Sequence, residues 1–226
     1  MNVILSGGVG KIRDEIMISY YASIVPAGSK MLYLPIAKRT RPFSESYEKM
    51  CANMIKLGVK AEIEMWPDLN DKSFKDLIVF DSIYIEGGNP FILLNELKKT
   101  GFIKILHKYI KSGKLVYGQS AGALIMGKDI SFAEFFGENA KNIVRLSDTN
   151  GLDLFNGYSI WPHYIFDNEI IIKKLIFEKR LKFLALPEYT GIHFSPKGNK
   201  VCGVSSMTIF NKNLKKTYNL GENVNI

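Results

Sequence analysis

Cysteine is scarce in this 226-residue chain: Cys51 and Cys202 are the only two, far apart and without a CxxC or Cys/His neighbourhood. That excludes a disulfide framework, and both are expected as reduced packing residues. Arginine is also rare, five of the 30 basic residues, so the net charge of +8 comes mainly from lysine spread over many segments. Such a distribution reads as a solvating surface, and no nucleic-acid partner is expected. The densest basic stretch, Lys173-Lys174 to Lys179-Arg180-Leu181-Lys182, alternates with Ile, Leu and Phe like the wet face of an amphipathic helix. Long apolar runs are missing too. The longest stretch without a charge, Ile16 to Ser29, is shorter than the roughly 18 residues a membrane span needs, so none is expected. Met1–Gly8 has no basic segment ahead of an apolar run, which makes a cytoplasmic location the expectation. No HExxH or strand-turn-helix GxGxxG occurs, and neither a metal nor an organic cofactor is expected.

What is present is ordinary globular material, 46% hydrophobic and 23% charged. Without repeat, linker or low-complexity tract, residues 1–226 are expected to form one domain. Short β-rich runs at Val3–Leu5, Met31–Leu34, Ala61–Met65, Ser82–Ile85 and Leu115–Tyr117 alternate with helical patterns at Lys11–Ile24, Ser44–Leu57 and Phe91–Lys111. This predicts an α/β three-layer sandwich around a mainly parallel sheet. Gly127–Gly157 has no clean period and is expected as an irregular surround of a site. A helix at Glu169–Arg180 and a strand at Phe183–Leu186 follow. Gly191–Phe194 and Val201–Phe210 are expected as an antiparallel C-terminal edge around the turn Pro196–Asn199.

The most informative segment runs Leu115-Val116-Tyr117-Gly118-Gln119-Ser120-Ala121-Gly122-Ala123-Leu124-Ile125-Met126. A strand, Gly-x-Ser-x-Gly and an apolar helix in that order describe a nucleophile elbow, with Ser120 lifted out at the carboxyl end of the sheet and the Ala121 N–H available to an oxyanion. Gly88, in the strand-end run Ile85-Glu86-Gly87-Gly88-Asn89-Pro90, is the candidate for the second oxyanion donor. A serine nucleophile needs a base, and only His107, His163 and His193 exist. His107 lies in a helical run and His193 in an apparent strand. His163 follows a strand-like run in Trp161-Pro162-His163-Tyr164, where Pro162 fixes the backbone, and is the favoured base. For the triad acid Glu134 comes first, with Glu138, Asp148 and Asp153 as alternatives between Ser120 and His163.

Together these motifs resemble the peptidase E and cyanophycinase family of serine peptidases, whose fold is similar to that of class I glutamine amidotransferases. The resemblance is carried by Gly87–Asn89, by Gly118–Ala123, by Pro162–Tyr164 and by Leu186-Pro187-Glu188, and covers roughly residues 1 to 195. It implies Ser120 as nucleophile and His163 as base, Gly88 and Ala121 as oxyanion donors, and Asn89, Gln119 and Glu188 as further oxyanion- or substrate-binding residues. It also implies short peptides as substrates, dipeptides or isopeptide-like aspartyl derivatives. Members restricted to N-terminal aspartyl dipeptides carry an arginine after Pro-His-Tyr. Ile165 to Phe177 contains none, which argues against strict aspartyl specificity, and Arg180 is the nearest substitute.

The expectation is therefore a peptidase that works through an acyl-enzyme on Ser120, with a homodimer admitted but not dictated. The rival reading is a catalytically silent member of the same fold that binds a small metabolite near Ser120.

Overall fold

Short, near-continuous apolar runs build the centre of the molecule, seen in a computed structural model that describes residues 1–9, 15–38 and 41–226. The first five strands are β1 (Asn2–Ser6), β2 (Lys30–Leu34), β3 (Glu62–Met65), β4 (Ser82–Ile85) and β5 (Leu115–Gln119). Six more follow: β6 (Tyr158–Trp161), β7 (Lys182–Ala185), β8 (Thr190–Ser195), β9 (Gly198–Gly203), β10 (Met207–Asn211) and β11 (Leu214–Tyr218). Seven of them form one sheet in the order β3-β2-β4-β5-β1-β8-β9. The neighbours among β1 to β5 are parallel, whereas β8 is antiparallel to β1 and β9 to β8. A second sheet, β11-β10-β7-β6, holds one parallel pair, β6 with β7.

Alternation sorts the side chains between two cores. Ile4, Met31, Tyr33, Tyr84 and Tyr117 meet α1 (Ile16–Ala22) and α2 (Phe43–Lys56) on one face. Val3, Leu5, Leu32, Leu34, Ile83, Ile85 and Val116 join the opposite core with α3 (Phe74–Ile78), α4 (Pro90–Lys99), α5 (Phe102–Lys111) and α6 (Ala121–Leu124). The second sheet and α7 (Glu169–Lys179) close over that core through Ile160, Trp161, Ile172 and Phe183. The fold is the expected α/β sandwich with a mainly parallel sheet and an antiparallel edge, extended by a second sheet.

Local chemistry explains several boundaries. α3 begins at a capping box, where the Ser73 hydroxyl accepts from the Asp76 N–H and the Asp76 carboxylate accepts from the Ser73 N–H. α4 begins at Asn89, whose side chain accepts from the Phe91 and Ile92 N–H groups, with Pro90 in the first helical position. The single helix expected over Phe91–Lys111 is broken at Gly101, whose φ of 72° is left-handed. Val201–Phe210 likewise divides, since β9 pairs with β8 while β10 crosses to the second sheet beside β7. The first turn expected of the helix Lys11–Ile24 falls partly on residues outside those described. Both cysteines are free; burial pushes the Cys202 thiol up to about 12.

Candidate active site

The elbow is built by close approach of backbone to backbone. A Cβ added at Gly118 would lie 2.6 Å from the Gly122 carbonyl oxygen, and one at Gly122 would lie 2.6 Å from that of Ile85, so neither position accepts a side chain. Between them Ser120 is forced to φ 48° and ψ −101°, a region that L residues rarely occupy and that typically costs about 1–3 kcal/mol. Its N–H is held by the Ser6 carbonyl at 3.0 Å, which ties the turn to the end of β1. The constraint aims the hydroxyl out of the carboxyl end of the sheet.

His163 meets it there. Its Nε2 lies 2.9 Å from Ser120 Oγ, and its Nδ1 lies 3.0 Å from Glu188 Oε1. A carboxylate only accepts, so the proton sits on Nδ1 and leaves Nε2 to accept from the serine hydroxyl. The imidazole is set by the loop after β1: the His163 backbone N–H donates to the Gly7 carbonyl at 2.8 Å, and Gly8 lies close against the ring. A Cβ at Gly8 would overlap His163 Cε1 and stand 2.7 Å from Nε2, at a φ of 106° that already disfavours a side chain. Gly8→Ala is therefore expected to displace the imidazole and lower kcat by about 100-fold in a folded protein. Steady-state rates beside far-UV circular dichroism would check this; unchanged kcat would show that the ring is placed by other contacts.

Glu188 reaches His163 because β6 and β7 are parallel with Trp161 opposite Ala185, so the residues just beyond both strand ends emerge side by side. The pairing continues into the loops, where the Leu186 N–H donates to the Trp161 carbonyl at 2.8 Å and the Tyr164 N–H to the Leu186 carbonyl at 3.1 Å. The segments around His163 and Glu188 thus form one rigid platform.

A family model decides what this arrangement belongs to: that of peptidase family S51 matches residues 3–200. The chain is a member of that family. An uncharacterized peptidase of Listeria innocua, Lin0382, is 32% identical over 73% of this chain and 81% of its own. A Listeria monocytogenes relative, the uncharacterized peptidase Lmo0363, is 42% identical, but the match spans 37% of this chain and 40% of that one. Among solved structures, one described as a peptidase E protein from Listeria monocytogenes EGD-e is 25% identical with a TM-score of 0.68, covering 90% of this chain and 98% of that one.

Within this S51 fold the expected residues separate into those that meet and those that do not. Ser120, His163, Gly88 and Gln119 line one cavity of about 430 Å³. Gly88 has a φ of 147°, and a Cβ there would overlap the Ala37 carbonyl; a Cβ at neighbouring Gly87 would lie 3.3 Å from Ser120 Cβ, which sets this loop directly against the serine. Ala121 is fully buried and opens α6, so its N–H has no acceptor within the helix. Asn89 lines the cavity, yet its side chain is spent on capping α4 and on donating to the Lys141 carbonyl at 2.8 Å. Gln119 accepts through Oε1 from the buried Tyr84 hydroxyl.

Glu134 does not face His163. Its carboxylate accepts from the Asn142 N–H at 3.1 Å, and the residue opposite Nδ1 is Glu188, which had been expected as a substrate-binding group. Of the alternatives, Glu138 lines the same cavity as Ser120 and His163 but pairs with Lys141 at 2.7 Å, while Asp148 pairs with Lys98 at 2.7 Å and Asp153 accepts from the Gly157 N–H at 2.9 Å. His193 is a structural residue between Tyr20 and Asn2, with burial holding its imidazole below the usual range. Arg180 caps the end of α7 and lines a separate cavity with Phe177 and Lys212.

A group absent from the expectations completes the site. Glu86, 7% exposed, accepts from the Tyr33 hydroxyl and holds Lys38 at 3.3 Å and Arg41 at 3.4 Å. These residues line a second cavity of about 170 Å³, which joins the first through Val9, Lys38 and Gln119. Two cations on one carboxylate leave positive charge facing the cavity. The sequence signal was Lys38 and Arg41 just past the end of β2, at the carboxyl edge where β/α folds place ligands.

Among the described residues no cluster of three or more His, Cys, Asp or Glu could hold a metal, and no helix is long and apolar enough to cross a membrane.

Proposed function

We propose that the chain is a serine-type peptidase that hydrolyses short peptides through an acyl-enzyme on Ser120, with Glu188 rather than Glu134 as the third member of the triad. The observation that carries this is the unbroken line of contacts from Ser120 Oγ through His163 to Glu188, at 2.9 and 3.0 Å. His163 takes the serine proton as Oγ bonds to the peptide carbonyl carbon. The oxyanion that forms is received by the N–H groups of Gly88 and Ala121. Proton return from His163 to the amine lets the C–N bond break and leaves an ester on Ser120. Water, deprotonated by the same imidazole, then hydrolyses that ester and restores the serine. Glu188 holds the Nδ1 tautomer and stabilises the imidazolium.

Lys38 and Arg41 support an acidic residue on the acyl side. A cavity of about 170 Å³ suits a short carboxylate side chain and not an extended chain. The role taken by arginine after Pro-His-Tyr in aspartyl-specific relatives falls here to cations brought from β2. Hydrolysis of a panel of Asp-X, Glu-X and Ala-X dipeptides tests the reading, with turnover led by Asp-X as the expected result. Turnover of none would contradict it. Lys38→Met removes one cation while Arg41 and Tyr33 still hold Glu86, and should lower kcat/KM for Asp-Leu relative to Ala-Leu by about 10- to 100-fold, the usual scale of a charge-assisted hydrogen bond. An unchanged ratio would remove Lys38 from substrate recognition.

A further inference from the structure

Beyond the catalytic pair lies a third cavity, of about 480 Å³, that no role above uses. Pro90, Leu124, Phe135, Phe136 and Ala140 form its walls, and it reaches Ser120 and His163. Among the described residues, no lysine, arginine, aspartate or glutamate lines it. It shares Gly88, Ser120, Asn139 and His163 with the catalytic cavity and no lining residue with the cavity of Lys38 and Arg41. The three therefore follow one another, and the reacting serine stands between a cationic end and an aromatic end.

The aromatic wall is half anchored and half open. Phe136 packs edge-on against Trp161 with ring centroids 5.1 Å apart, and Phe132 stacks on that same indole at 5.3 Å. Phe135, next to it, is 56% exposed at the cavity. A large apolar side chain left in water beside a nucleophile is surface that a ligand can cover, and covering it favours an apolar group over a polar one.

We infer that this cavity receives an apolar side chain on the leaving-amine side of the scissile bond, so that the preferred substrates join an acidic residue to an apolar one. The inference rests on the reading of Lys38 and Arg41 as the acyl-side pocket: with the acidic residue at that end, the departing residue enters the aromatic cavity. The irregular segment between Gly127 and Gly157 then has a defined task, since Phe135, Phe136 and Ala140 all come from it.

Two measurements test it. In the wild type, kcat/KM for Asp-Phe and Asp-Leu should exceed that for Asp-Gly by about tenfold or more, the scale on which hydrophobic pockets discriminate. Phe135→Ala, a change at a half-exposed position that leaves the fold intact, should bring the ratio within about threefold, while Phe177→Ala on the exposed face of α7 should leave it as in the wild type. A flat ratio in the wild type, or the same ratio in Phe135→Ala, overturns the inference. The second measurement needs no turnover: ligand-observed NMR of L-phenylalaninamide and L-serinamide with the Ser120→Ala protein. Selective binding of the phenylalanine compound, lost on adding Phe135→Ala, supports the subsite even if aspartyl peptides are not hydrolysed, which would instead defeat the acyl-side reading. Binding without selectivity overturns the subsite even if they are.

Discussion

Ser120→Ala is expected to lower kcat for aspartyl dipeptides by roughly 10⁶-fold, the loss seen when the nucleophile of a serine–histidine unit is removed and only binding and oxyanion stabilisation persist. The fold should survive. Alanine keeps the Cβ, the Ser120 N–H bond to Ser6 is a backbone contact, and the deleted hydroxyl meets an imidazole that is itself partly exposed. Thermal unfolding within a few degrees of the wild type, beside rates measured with enough enzyme to see a residual turnover, would check both halves. A loss below tenfold would mean that the hydroxyl does no chemistry and that turnover arises elsewhere.

The second large effect separates two carboxylates. Glu188→Gln should reduce kcat by roughly 10⁴-fold, because an amide no longer fixes the Nδ1–H tautomer or stabilises the imidazolium, as when the acid of a serine triad is replaced by its amide. Glu134→Gln should stay within about twofold of wild type, since its carboxylate accepts from the Asn142 N–H and it is Glu188 that meets His163. A Glu188→Gln protein with full activity beside an inactive Glu134→Gln would restore the original chain order of serine, acid, histidine.

The sequence expectation places the acid between Ser120 and His163, whereas the carboxylate that meets the imidazole is that of Glu188, after His163, brought there by the parallel register of β6 with β7. The motif was visible, since Leu186-Pro187-Glu188 ends one strand as Trp161-Pro162-His163 ends another. Their being neighbours was not, because pairing partners in a second sheet leave no mark on local periodicity.

Features set by local chemistry were legible. The elbow follows from Gly118, Ser120 and Gly122 in a strand-to-helix context, and the near-continuous apolar runs of β1, β2, β4 and β5 announce strands buried on both faces. The division of Phe91–Lys111 was hidden because Gly101 in an otherwise continuous apolar pattern reads as a tolerated defect until its left-handed backbone is seen. The cationic cavity was hidden for a different reason. Lys38 and Arg41 follow β2 while Glu86 follows β4, and 45 residues separate Arg41 from the carboxylate that holds it.

The most direct test of the central claim asks whether Ser120 is an activated nucleophile. Folded protein is treated with a fluorophosphonate and its intact mass followed, with peptide mapping of the product and His163→Ala as comparison. One adduct is expected, on Ser120, formed rapidly in the wild type, far more slowly in His163→Ala and not at all after denaturation. No adduct in the folded wild type, or an equal rate in His163→Ala, would contradict it and leave a folded S51 member whose pocket binds a small molecule without reacting with it.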